Sequence, residues 1–130
     1  MTYLLDVNAL LALAHASHTM HRRTGAWVKT LRRGDRLATC AITELGFVRI
    51  GPQARLSPDV AGARELLAAL RRSRRPSFVF LPDALGADTL PAWVRMPPQT
   101  TDGHLFALAA AHGARLVTFD EGIPGASVIA

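Results

Sequence analysis

Apolar residues along this chain follow two rhythms. Short, nearly unbroken runs read as buried strands: YLLDV (3–7), RLATC (36–40), FVFL (78–81), RLVTF (115–119) and SVIA (127–130), the last as an edge strand. Between them the period lengthens to that of helices. Residues 8–16 (NALLALAHA) turn Leu10, Leu11 and Leu13 inward. Residues 19–33 set Ala26, Trp27 and Leu31 against a face of Arg22, Arg23, Lys29 and Arg32, with Gly34 as the stop. ITELGFVRI (42–50) carries apolar Ile42, Leu45, Phe47 and Val48. SPDV (57–60) opens another helix, with Ser57 as cap, Pro58 in the first turn and Asp59 on the dipole. Val60, Leu66, Leu67 and Leu70 face inward there, and RRSRRP (71–76) ends it. Residues 100–113 form a threonine-capped helix with Leu105, Leu108, Ala109 and His112 on one face and Gly113 as its close. Residues 82–100 hold four of the eight prolines and read as a loop or a short helical turn.

Strands that alternate with helices, and are apolar on both faces, build a parallel sheet covered on both sides. The fold class expected is α/β, a three-layer sandwich, in a single domain over residues 1–130. With 130 residues, about half of them apolar, the chain buries a proper core and is not disordered. It carries a net charge of +5, and Lys29 is its only lysine. That balance suits a polyanionic partner such as nucleic acid or an acidic protein segment, although arginine-rich usage alone also produces it. Cys40 is the only cysteine, which excludes an internal disulfide and makes it a small buried hydrophobe. No run reaches the roughly 18 apolar residues of a membrane span, and no basic segment precedes the first apolar run. A soluble, cytoplasmic protein without a membrane partner is the expectation.

The first strand raises the chemical question, because Asp6 sits inside an apolar run. A carboxylate there is costly to bury unless it is paired, hydrogen-bonded or bound to a metal. Ligands of open parallel sheets bind beyond the carboxyl ends of the strands. Asp6 ends the first strand, Glu44 follows the second, and Asp120 follows the fourth. Asp102 joins them if its helix starts at the same edge. Four carboxylates so placed repel one another, and a hard divalent ion with oxygen ligands, Mg²⁺ or Mn²⁺, relieves the conflict. Each also has a plainer reading. Asp102 and Glu44 are ordinary first-turn acids, and Asp120 is a turn residue before Gly122. His15, His18 and His21 fall at a spacing that mimics a metal site, but a helix break near Ser17 scatters them. Arg71, Arg72, Arg74 and Arg75 suit either an RNA backbone or the solvated end of a helix. Trp27 and Trp93 read as core or interface residues.

At LLDVNALLAL, ATCAITELGFVRI and TTDGHLFALAAAHGARLVTFD the chain resembles the PIN-domain family, and within it the VapC-type toxins of bacterial toxin–antitoxin pairs. These pieces cover about a third of the chain and lie towards both of its ends. The resemblance implies a five-stranded parallel sheet between helices and a metal-dependent ribonuclease. Its four acidic positions fall on Asp6, Glu44, Asp102 and Asp120. Asp6 and Asp102 would hold the principal Mg²⁺, Asp120 would complete the shell or hold a second ion, and Glu44 would orient or deprotonate the attacking water. Asn8 and Thr118 match polar supporting positions. His104 stands where many members carry an aromatic residue, and no catalytic role is assigned to it. A homodimer and a cognate antitoxin whose tail enters the active-site groove are also implied. The residues alone leave a non-catalytic RNA-binding or interaction module with a relic acidic cluster open. A phosphatase with Asp6 as nucleophile is disfavoured, because Asn8 stands where a second carboxylate is needed. No G-x-G-x-x-G follows the first strand to support a dinucleotide site.

Overall fold

A computed structural model describes residues 1–130. Five parallel strands form one sheet: β1 (Thr2–Leu5), β2 (Arg36–Cys40), β3 (Ser77–Leu81), β4 (Arg115–Thr118) and β5 (Ser127–Val128), in the order β3-β2-β1-β4-β5. β1 is central and pairs with β2 and β4. Five helices cover the sheet: α1 (Val7–Ala14), α2 (His21–Lys29), α3 (Ala41–Gln53), α4 (Val60–Arg71) and α5 (Thr100–Ala111). No helix is long and apolar enough to cross a membrane.

The period-two alternation of the strands sorts the core into two layers. Leu5, Leu37 and Val117 point to one face, where α1, α3 and α4 bring Leu10, Leu11, Phe47 and Leu67. Leu4, Ala38 and Leu116 point to the other, where α5 brings Leu105, Leu108 and Ala109. The three-layer α/β sandwich expected from the pattern is the one observed. Cys40 is fully buried in the second layer, as expected. The half-buried Trp27 and Trp93 pack edge-on against Tyr3 and Phe106.

Several elements depart from the pattern for local reasons. β1 stops at Leu5, not Val7, because extended Asp6 accepts the Ala9 N–H at 2.8 Å and starts the helix at once. α2 begins at His21 and ends at Lys29, where the Thr30 hydroxyl bonds the Trp27 carbonyl. Gly34, at φ +93°, serves the later turn into β2, and Ala26 is exposed. Ser57 does not cap α4. Asp59 does, through the Gly62 N–H, while Ser57 is buried against His15 at 2.8 Å. No threonine caps α5, which is entered directly from a 3-10 turn, Pro97–Gln99. Two such turns, that one and Ala87–Thr89, are the regular structure of the proline-rich segment. Leu45 is 67% exposed and Val60 53%, so neither belongs to the core. His112 is exposed, with its Nε2 on the Pro82 carbonyl.

Candidate active site

The chain leaves β3 on one side of β1 and returns as β4 on the other. Outside the carboxyl ends of β1 and β4 the strand order therefore reverses, and that crevice is where sheets of this kind bind ligands. Asp6 stands there as the residue after β1. Asp120 lies just beyond β4. Asp102 comes from the first turn of α5, which starts at this edge because it must run back to the opposite one to enter β4.

Asp6 is only 8% exposed. Burial pushes its carboxyl above the usual carboxylate range. The Thr118 hydroxyl beside it and the Ala9 N–H pull the other way, and the charges of Asp102 and Asp120 add to the rise. Asp102 is raised as well, first by burial and then by Asp120. The three aspartates thus feel one another, and none has an ion-pair partner; the chain's ion pairs lie elsewhere. Thr118 ties two of them together, because it also accepts the Asp120 N–H at 3.0 Å. Asp120 closes its own turn by accepting the Gly122 N–H at 2.7 Å.

Glu44 shares the edge but has separate company. Its Oε2 accepts the Thr39 hydroxyl at 2.5 Å and lies 3.3 Å from the Arg71 guanidinium. It is not among the charges that shift Asp6 or Asp102. Arg71 also covers the face of Phe80. Asn8 is exposed and forms no side-chain hydrogen bond, whereas Thr118 is buried. The arginine run divides: Arg71 turns to Glu44, Arg72 is the C-cap of α4, and Arg74 and Arg75 lie at the opposite end of the sheet. His104 pairs with Asp83, whose carboxyl is held below its ordinary range chiefly by that hydrogen bond. The histidine trio is engaged internally: His15 with Leu11 and Ser57, His18 with the Met20 N–H, and His21 with the Ala12 carbonyl.

The sequence reading missed Thr39, Arg71 as the partner of Glu44, and Asp83. Thr39 lies inside an apolar run with no local sign of its partner. Asp83 carries one weak signal, its place just beyond the end of a strand.

Three carboxylates gathered without a cation, two of them driven up by burial and by each other, are a donor set that fits a hard divalent ion. The side chains are not drawn into a closed ligand shell, however, since no three His, Cys, Asp or Glu side chains stand close enough to grip one ion.

The sequence profile of the PIN domain matches residues 3–127. The chain belongs to the PIN-domain family. It is 43% identical to ribonuclease VapC38 of Mycobacterium tuberculosis over 92% of its length and 86% of the relative's. It is 43% identical to ribonuclease VapC44 of the same organism over 98% of its length and 95% of the relative's. Its fold matches the crystal structure of VapBC2 from Rickettsia felis, bound to a DNA fragment from the promoter. There the TM-score is 0.62 and the identity 15%, over 98% of this chain and 97% of that one. PIN-domain ribonucleases are in general metal-dependent. In this PIN domain Asp6, Asp102 and Asp120 lie at the carboxyl edge of the sheet, beside its strand-order switch.

Proposed function

We propose that this PIN domain is an endoribonuclease, the toxin of a toxin–antitoxin pair, which hydrolyses RNA phosphodiesters with Mg²⁺, or Mn²⁺ in its place. The observation that carries the proposal is the meeting of Asp6, Asp102 and Asp120 at the strand-order switch with no cation of their own. The names of the curated relatives support it. Asp6 and Asp102 would hold the principal ion, and Asp120 would complete the shell or hold a second one. Bound there, the ion lowers the pKa of a water and offsets negative charge on the phosphodiester. The protein's own part is positional. The Ala9 N–H fixes Asp6, and Thr118 sets Asp120 relative to it. Thr39 and Arg71 hold Glu44, which orients the attacking water or accepts its proton. Asn8, exposed in the first turn of α1, supports the site from two residues beyond Asp6. RNA is the substrate, a cognate antitoxin the inhibitor, and a homodimer the working assembly.

A second reading, a non-catalytic RNA-binding module, draws on one observation: no three donor side chains close on a single point. Induced expression in a bacterial host, with RNA profiling, separates the two. Wild type should arrest growth and leave discrete cleavage sites, and Asp102→Ala should do neither. Identical behaviour of the two proteins would leave the binding module as the better account.

A further inference from the structure

The edge opposite the aspartates holds a feature the proposed reaction does not use. Where the chain turns from α2 into β2 and from α4 into β3, the two loops enclose a cavity of ≈ 680 Å³. Arg36 and Ser77, which open β2 and β3, lie in register, so the cavity sits at the amino ends of these strands. Five cations line it: Lys29 at the end of α2, Arg32 and Arg33 from the loop that follows, and Arg74 and Arg75 from the other loop. The single carboxylate there, Asp35, is already engaged. It accepts the Arg32 backbone N–H at 2.8 Å and the Met1 α-amino group at 3.1 Å. None of the five cations has an ion-pair partner, since the chain's pairs are Met1–Asp35, Arg71–Glu44 and His104–Asp83.

Five like charges around one open cavity repel one another and call for a polyanion. Only two of the eleven lining residues are hydrophobic. A peptide docking there would lack the apolar anchors that carry peptide recognition, whereas a sugar–phosphate backbone needs none. We infer that Lys29, Arg32, Arg33, Arg74 and Arg75 form an anchor for RNA phosphates at the sheet edge remote from the aspartates, so that substrate is gripped at one edge and cut at the other. The inference rests on the ribonuclease reading for its biological meaning. The two edges are separated by the length of a five-residue strand, about 17 Å. At ~3.4 Å per stacked nucleotide that is about five nucleotides, so a dinucleotide cannot reach both while a stem-loop can.

The test uses the whole chain and a fluorescently labelled stem-loop RNA, with EDTA present so that no cleavage intrudes. Binding is followed by anisotropy between about 50 and 200 mM salt. The variant Arg32→Gln/Arg33→Gln/Arg74→Gln/Arg75→Gln should bind at least about tenfold more weakly and flatten the slope of log K against log salt by about 3. The matching Arg→Lys variant keeps the charge and should retain most of both, which separates charge from folding. Equal affinity and slope in wild type and the Gln variant overturns the inference, as does no measurable binding by wild type. Preference for a poly-glutamate peptide over the RNA also overturns it, since the occupant would then be an acidic protein segment. The nuclease reading is judged apart, with Mg²⁺ or Mn²⁺ restored. A wild type that binds through these arginines yet leaves RNA uncut sinks that reading and keeps the anchor.

Discussion

Replacing Asp6 separates the two duties of its side chain. As a helix cap it accepts the Ala9 N–H at 2.8 Å; as a buried charge it is held beside Asp102 and Asp120. Asp6→Asn keeps the acceptor and removes the charge, whereas Asp6→Ala removes both. Asn and Asp cap about equally well, and losing the cap costs about 1 kcal/mol. For a chain of this size 1 kcal/mol moves Tm by about 4 °C, which is the gap expected between the two variants in EDTA. In the same buffer at neutral pH, Asp6→Asn should melt no lower than wild type, because it discards a carboxylate that burial disfavours. The pH dependence carries a definite sign. A carboxyl raised in the folded state contributes stability that is fully present below the free-Asp value of about 3.9 and is lost as pH rises through the folded value. Wild type should show that loss in EDTA, and Asp6→Asn should lack this part of it. Adding Mg²⁺ to about a hundred times Kd should restore about 2.7 kcal/mol to wild type, a shift of about 10 °C, and little to either variant. Calorimetry of all three proteins across pH, with and without Mg²⁺, reads each quantity. An Asp6→Asn protein that melts well below wild type in EDTA, or gains as much from Mg²⁺, would refute the reasoning.

Two further substitutions probe the supports. Thr118→Val removes the hydroxyl that accepts the Asp120 N–H and stands beside Asp6; metal affinity, followed by titration calorimetry, should fall about 10- to 100-fold with the fold intact. Ser57→Ala leaves the Nε2 of the buried His15 ring without its partner at 2.8 Å and should cost about 1–3 kcal/mol in urea denaturation, whereas an exposed helix cap would cost less.

What could be read from the sequence was whatever depends on neighbours along the chain. Strand β2 appears over the residues its apolar run marks, 36–40, and the alternation of strands and helices yields the parallel sheet. Asp6 drew attention because a carboxylate among leucines needs a reason. What escaped depends on packing between distant segments. Glu44 meets Arg71 only because the end of α4 returns beside the start of α3. Ser57 looks like a cap in its tetrapeptide, but the His15 ring claims it from 42 residues away. Leu45 and Val60 fit a helical rhythm, which says nothing about whether another element covers that side. The arginine run was visible as a run, but its division between two edges of the sheet was not.

The central strand carries a consequence for the birth of the protein. Tyr3 and Leu4 take one neighbour from β2 and the other from β4, at the far end of the chain. A nascent polypeptide growing at about 5–20 residues per second therefore exposes Asp6 and Glu44 well before Asp102 and Asp120 exist. Until the last quarter leaves the ribosome, β1 has an open flank and the acidic centre is incomplete. The order of synthesis thus keeps a chain of this family without its full acidic centre until its translation is almost finished.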